Sequence, residues 1–121
     1  MAFDLTGRVA LVTGASSGLG AHFAERFVAA GAKVVVAARR LDAVQRLAER
    51  LGDRALAVAM DVTDDASIAA AFDAGQAQFG TIDTVVANAG QSNAGRSTDV
   101  AAAALRATID VNLTGVLLTA R

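Results

Sequence analysis

The chain has 121 residues, of which 54% are hydrophobic and 4% aromatic, and its net charge is −1. This composition fits one folded domain and excludes a disordered chain, and the interspersed charges exclude a basic surface for nucleic acid or anionic lipid. Because the chain has no cysteine, disulfides and cysteine-ligated metals are excluded, and we expect no metal site. With no signal-peptide pattern and no apolar run of membrane-spanning length, we expect a cytoplasmic protein without a membrane partner.

Four short, continuous apolar runs recur along the chain, at residues 9–12, 34–38, 56–60 and 85–87. Continuous apolarity predicts strands that are buried on both faces, as in a parallel sheet. Helical patterns lie between the runs, with Gly31, Gly52 and Gly80 just past three of them and Thr63 as a candidate N-cap of the third. The fold class is therefore α/β, a Rossmann-type doubly wound parallel sheet of predicted order 3-2-1-4. A last helix is predicted from about Asp99 onward.

A glycine-rich turn, residues 13–20, follows the first run and opens the first helical pattern. Such a turn brings backbone N–H groups close to a pyrophosphate, and the helix N-terminus adds a favourable dipole. The candidate cofactor-binding residues here are Gly14, Ser16, Ser17, Gly18, Leu19 and Gly20. A tight turn without a ligand is the alternative interpretation.

Polar residues also follow the third and fourth runs, at the sheet edge where open α/β folds bind ligands. Asp61 could accept a hydrogen bond from an adenine amine or serve only as a turn aspartate. Asn88 could bond a ribose or brace the glycine turn. Asn112 lies in an apolar helical stretch between Val111 and Leu113, which favours an inward position over an exposed one. The only histidine, His22, is predicted to be a solvated surface residue.

The end of the second run indicates which dinucleotide would bind. An acid at this position bonds the ribose 2′-hydroxyl in dinucleotide folds, but here the sequence is Ala38-Arg39-Arg40. A guanidinium suits a 2′-phosphate, because its fork of donors matches the phosphate oxygens. The sequence therefore predicts preference for NADP(H) over NAD(H), with Arg39 and Arg40 as candidate ligands; solvated arginines at a helix start are the alternative.

Four segments in order resemble the short-chain dehydrogenase/reductase family, and the resemblance covers the whole chain. Residues 13–20 are similar to its T-G-x-x-x-G-x-G turn, and Asp61-Val62 to its adenine-contacting pair. Asn88-Ala89-Gly90 resembles the N-A-G that ends the fourth strand, although Ala87 stands where the family has another asparagine. Residues 110–115 look like the helix segment that holds the family's catalytic asparagine, here Asn112. The resemblance implies hydride transfer between NADP(H) and a small carbonyl or alcohol substrate.

In the family a serine, a tyrosine and a lysine follow the asparagine helix, but this chain has no tyrosine and its only lysine, Lys33, precedes the second run. We therefore expect residues 1–121 to be the NADP(H)-binding part of an oxidoreductase whose catalytic segment would follow residue 121. A non-catalytic NADP(H)-binding module or truncated gene product, and a methyltransferase, are the alternatives. The fourth strand should have an open outer edge, and the last helix should lack part of its apolar cover. We expect a homo-oligomer.

Overall fold

The computed structural model describes residues 3–93 and 95–121, which form a four-stranded parallel sheet with helices on both faces. The strands are β1 (Val9–Thr13), β2 (Lys33–Ala38), β3 (Ala55–Ala59) and β4 (Thr84–Val86). The connecting helices are α1 (Gly18–Ala29), α2 (Leu41–Leu51) and α3 (Asp65–Phe79). The last helix has three successive parts, α4 (Ala102–Ile109), a π-helical segment (Asp110–Thr114) and α5 (Gly115–Ala120).

The strand order is β3-β2-β1-β4, which confirms the predicted order and fold class. All five residues of β1 are buried, and so are five of the six residues of β2. These two strands form the centre of the sheet, which explains why their sequences are apolar without alternation. The carboxyl ends of all four parallel strands point to the same edge of the sheet.

The core has two layers, one on each face of the sheet. Val34 and Val36 of β2 pack with residues of α1 and α2, while Val35 and Ala37 pack on the opposite face with residues of α3. The small side chains let the helices approach closely: a Cβ added to Gly75 of α3 would lie 2.7 Å from Val35 Cγ2. Larger residues at such contacts would force the helix away from the sheet.

The sequence patterns predict three helix ends correctly and two helix starts incorrectly. The glycines predicted to follow helices, Gly31, Gly52 and Gly80, have φ values of +105°, +87° and +90°, as expected. The predicted cap Thr63 is wrong by one residue, because its own N–H and hydroxyl donate to Asp61, and Asp64 caps α3 by accepting from Ala66 N at 3.0 Å. The predicted start of the last helix at Asp99 is also wrong, because this residue lies in a turn and α4 begins at Ala102.

The fourth strand is at an edge of the sheet, as predicted, and its residue Val85 is 38% exposed. A groove of about 490 Å³ runs beside it, between α3 and α5. The last helix carries a row of exposed apolar side chains at a spacing of four residues, Leu105, Ile109, Leu113 and Leu117. Their exposed fractions of 43%, 54%, 57% and 62% confirm that this helix lacks part of its apolar cover.

Candidate functional site

A cavity of about 230 Å³ lies at the carboxyl ends of the strands, where ligands bind in open α/β sheets. Nine predicted site residues line it: Gly14, Ser16, Ser17, Arg39, Asp61, Val62, Asn88, Ala89 and Gly90. The other predicted residues are not part of its wall: Gly18, Leu19, Gly20, Arg40 and Asn112. Five lining residues were missed by the sequence analysis: Thr13, Ala38, Met60, Gln91 and Val111. Each of these five adjoins a predicted residue in the sequence, so extending each motif by one residue would have found them.

The glycine turn packs directly against the loop after β4. A Cβ added to Gly14 would lie 2.9 Å from Ala89 Cα, and one added to Gly20 would lie 2.7 Å from Asn88 Nδ2. Gly20 is buried beneath the turn rather than in the cavity wall, so its small size serves packing. The turn needs glycine at both close approaches, because any side chain there would displace backbone or amide atoms.

Buried Thr13 fixes the position of the β4 loop. Its Oγ1 accepts hydrogen bonds from the backbone N–H groups of Asn88, at 3.0 Å, and Ala89, at 2.9 Å. The amide of Asn88 in turn donates to the Gly14 carbonyl at 3.4 Å. Of the two roles considered for Asn88, the bracing of the glycine turn is therefore the one that this structure displays.

Two serine hydroxyl groups lie at the start of α1. Ser17 is the N-cap residue of α1, but its side chain makes no capping hydrogen bond, and the first turn of the helix has no acidic residue. Ser16 and Ser17 are both exposed and both line the cavity. The positive end of the helix dipole and two hydroxyl groups thus face the cavity, which suits an anionic group.

The two consecutive arginines after β2 have different surroundings. Ala38, the last residue of the strand, is only 9% exposed and lines the cavity together with Arg39. Arg40 lies outside the cavity wall and pairs with Asp42 Oδ2 at 3.6 Å. Arg39 therefore supplies a positive charge to the cavity at the position where an acid would contact a ribose 2′-hydroxyl.

Asp61 is held ionised by its local turn. Its Oδ1 accepts from Thr63 N at 2.9 Å and from Thr63 Oγ1 at 2.6 Å, while its own N–H donates to Ser67 Oγ at 2.8 Å. The hydrogen bonds from Thr63 lower the pKa of Asp61 below its ordinary value, with a smaller contribution from the charge of Arg39. A turn aspartate is thus what the structure shows, and its carboxylate borders the cavity.

The substitution Thr63→Val is expected to raise the pKa of Asp61 toward its usual value, because it removes the hydroxyl donor and leaves the backbone donor in place. The lowered pKa contributes stability that is present above the unfolded-state pKa and is lost as pH falls through the folded-state pKa. The variant should therefore lose less stability on acidification. NMR titration of the Asp61 carboxyl carbon tests this, with Thr84→Val as a matched control because Thr84 Oγ1 donates to Asp83 instead. An unchanged pKa of Asp61 would contradict the hydrogen-bond explanation.

Asn112 lies in the π-helical segment and anchors the loop after β4. Its Oδ1 accepts from Gln91 N at 2.8 Å, and its Nδ2 donates to the Gln91 carbonyl at 2.6 Å. The expectation of an inward position is wrong, because Asn112 and its neighbour Leu113 are both exposed. Farther along the loop, Asn93 donates to the Thr108 hydroxyl and to the Ala104 carbonyl of α4. The loop that borders the cavity is thus fastened to the last helix at two points.

Among residues 3–93 and 95–121, no tyrosine, lysine or histidine lines the cavity. The chain has no tyrosine. Lys33 begins β2, at the sheet end opposite the cavity, where its Nζ lies 5.9 Å from the centre of the Phe79 ring. His22 is exposed on α1, as predicted. The cavity therefore offers hydroxyl, amide and guanidinium donors and the Asp61 carboxylate, which are groups for binding a nucleotide.

Within residues 3–93 and 95–121, no group of three or more His, Cys, Asp or Glu side chains is placed to hold a metal ion. None of the helices described there has the length and apolarity that a membrane span requires.

The chain is similar in sequence to known proteins. A family model described as short chain dehydrogenase matches residues 8–121. A cis-4-hydroxycyclohexanecarboxylate dehydrogenase of Sinomonas cyclohexanicum is 45% identical over 114 residues, which cover 92% of this chain and 46% of the relative. A D-threitol dehydrogenase of Mycolicibacterium smegmatis is 39% identical over 119 residues, covering 96% of this chain and 46% of the relative.

A solved structure is also similar to this chain. A 3-ketoacyl-(acyl-carrier-protein) reductase from Brucella melitensis, complexed with NADH, superposes with a TM-score of 0.93 at 38% identity, covering 98% of this chain and 49% of that one. This chain spans about half the length of the curated relatives it matches. With the family model matched over residues 8–121, the chain belongs to the short-chain dehydrogenase/reductase family.

Proposed function

We propose that this chain is the cofactor-binding half of an oxidoreductase that transfers a hydride between NADP(H) and a carbonyl or alcohol substrate. The observation that carries the choice of cofactor is Arg39 in the cavity wall beside Ala38, with no acid at the end of β2. An acid there would repel a 2′-phosphate, whereas a guanidinium can donate two parallel hydrogen bonds to it. The NADH in the Brucella melitensis reductase belongs to that protein and leaves this choice to experiment.

The residues of the cavity fit a dinucleotide in distinct ways. The glycine turn, with Gly14 at φ +65°, and the Ser17 hydroxyl, which makes no capping hydrogen bond, would bind the pyrophosphate. Asp61 and Val62 border the part of the cavity where the adenine ring would lie, and the Asp61 carboxylate would accept from its amine. Asn88, Ala89 and Gly90, which follow the other outer strand β4, also line the cavity. The bound cofactor would accept or deliver the hydride, and the chain's own residues would bind and orient it.

The role we propose for Asn112 follows from the family resemblance and from its contacts. In the family the asparagine helps to hold a water that relays protons. Here both ends of the Asn112 amide are bonded to Gln91, so this side chain also fixes the loop that borders the cavity. The tyrosine, lysine and serine of the proposed reaction would come from sequence that follows residue 121.

We also propose that the intact protein is a homo-oligomer, and the exposed row on the last helix supports this. Four apolar side chains at 43–62% exposure recur every fourth residue along this helix, and exposed apolar surface of this kind commonly marks an interface. A cytoplasmic location stays a prediction from the sequence.

Of the alternative functions, the non-catalytic NADP(H)-binding module is favoured by one observation. The chain has no tyrosine, and Lys33 lies at the end of the sheet opposite the cavity. The methyltransferase alternative is set aside, because the family model that matches residues 8–121 is that of a dehydrogenase.

Calorimetric titration of the natural protein that contains this sequence, with NADPH and with NADH in parallel, tests the choice of cofactor. A charged contact to the 2′-phosphate should make NADPH bind roughly tenfold to a hundredfold more tightly. Equal dissociation constants for the two cofactors would overturn the proposal. The preference should also weaken as salt concentration rises, because the contact is solvent-accessible.

A further inference from the structure

A second cleft, of about 320 Å³, opens between α1 and α2 beside the candidate site. Ser16 and Ser17 line both this cleft and the cavity at the strand ends, so the two spaces meet at the start of α1. The side of the cleft formed by α2 carries two arginines, Arg46 and Arg50. The contact proposed between Arg39 and the 2′-phosphate gives no role to either of these two arginines.

The arginines of this cleft differ in how firmly they are paired. Arg50 forms a close ion pair with Glu25 of α1. Arg46 contacts Asp42 at 3.8 Å, through the same carboxylate oxygen, Oδ2, that Arg40 contacts at 3.6 Å. One carboxylate therefore serves two guanidinium groups at long distances. Because an exposed pair of this kind contributes little free energy, Arg46 can turn to another anion at low cost.

The serines add neutral donors on the other side. The Ser17 hydroxyl makes no capping hydrogen bond, and no acidic residue occupies the first turn of α1. An anion at the junction of the two spaces would face these hydroxyls, the positive end of the α1 dipole, Arg39 from β2 and Arg46 from α2. A phosphate monoester near neutral pH carries between one and two negative charges, which fits this local excess of positive charge.

We propose that Arg46 is a second specificity-determining residue for the 2′-phosphate of NADP(H), acting from α2 while Arg39 acts from the end of β2. This inference rests on the proposed function and assigns the α1–α2 cleft to the same cofactor. In this arrangement Asp42 competes with the phosphate for Arg46. Removing the carboxylate should therefore strengthen binding of the phosphate.

The experiment uses two nucleotides that differ only in the group of interest, adenosine 2′,5′-bisphosphate and 5′-AMP. Their dissociation constants are measured calorimetrically on the natural full-length protein and on Arg46→Gln, Arg39→Gln and Asp42→Asn. Arg54→Gln serves as a charge-matched control, because Arg54 is exposed just before β3, at the opposite end of the sheet. Arg46→Gln should weaken the bisphosphate roughly fivefold and leave 5′-AMP unchanged, while Asp42→Asn should tighten the bisphosphate.

Each other result has a distinct meaning. If Arg46→Gln behaves like Arg54→Gln while Arg39→Gln weakens the bisphosphate, the role of Arg46 is overturned and the proposed function stands. If Arg46→Gln weakens both nucleotides equally, Arg46 contacts the 5′-phosphate and the inference is again overturned. If the unmodified protein does not distinguish the two nucleotides, the choice of NADP(H) fails together with this inference. Thermal unfolding of each variant verifies that it is folded.

Discussion

The pure 121-residue chain, supplied with NADPH and a panel of ketones and aldehydes, is expected to show no enzymatic turnover. The reason is chemical, because the chain has no tyrosine and Lys33 lies at the sheet end opposite the cavity. Positioned acid–base catalysis typically contributes about 10²–10⁴-fold to a rate, and the described residues that line the cavity include no tyrosine, lysine or histidine to supply it. Oxidation of NADPH is followed by its absorbance at substrate and protein concentrations that would reveal slow turnover.

The control for that assay is cofactor binding by the same preparation. A chain that binds NADPH but turns over no substrate fits the cofactor-binding half that we propose. Enzyme-like turnover by the 121-residue chain would show that its acid–base groups lie among residues to which we assign other roles. Activity of the natural protein, if it carries a tyrosine and lysine beyond residue 121, would separate the oxidoreductase from the non-catalytic module.

The double substitution Ala38→Asp with Arg39→Ala is expected to reverse the cofactor preference. The new carboxylate would stand at the end of β2, in the cavity wall, where it can bond a ribose 2′-hydroxyl and repel a 2′-phosphate. Removing the guanidinium of Arg39 should weaken the binding of NADPH roughly tenfold to a hundredfold. Calorimetric dissociation constants for NADPH and NADH, before and after substitution, give the size of the reversal.

Two controls accompany the double substitution, one inside the cavity and one far from it. Asp61 should stay ionised in the variant, because the hydrogen bonds from Thr63 lower its pKa more than Arg39 does. The external control is Arg54→Ala, which removes an exposed positive charge at the opposite end of the sheet. A double variant that still prefers NADPH by the original factor would show that the preference comes from other residues.

The sequence predicted the fold and the edge of the sheet that carries the cavity because both depend on short-range patterns. Continuous apolar runs at 34–38 and 9–12 indicated strands buried on both faces, and these became the two central strands. The motif residues Gly14, Asp61 and Asn88 follow β1, β3 and β4, and parallel strands bring such residues to one edge of the sheet. Local composition therefore sufficed to place the cavity.

Two of the missed details, at Asn112 and Thr13, depend on contacts between segments far apart in the chain, and the third, at Thr63, depends on a local turn. Thr63 was expected to cap α3, but the Asp61 carboxylate takes its N–H and hydroxyl. Asn112 was expected to point inward, yet the exposed π-helical segment places its amide on the backbone of Gln91. The sequence analysis places Thr13 in the glycine-rich turn and gives its side chain no role, whereas in the structure Thr13 ends β1 and its hydroxyl accepts hydrogen bonds from two N–H groups of the loop after β4. No periodicity in the sequence marks such pairings.

The hydrogen bond from Asn88 N to the Thr13 hydroxyl joins residues 75 positions apart in the chain. The cavity beside it exists only when the first and fourth strands have met, so an unfolded or half-synthesised chain has nowhere to bind a dinucleotide. A ligand that binds only the folded state stabilises it by about 2.7 kcal/mol when its concentration is a hundredfold above its dissociation constant. The cofactor concentration in the cell would then affect two quantities. One is the fraction of protein molecules that carry cofactor, and the other is the rate at which the protein is degraded by proteolysis.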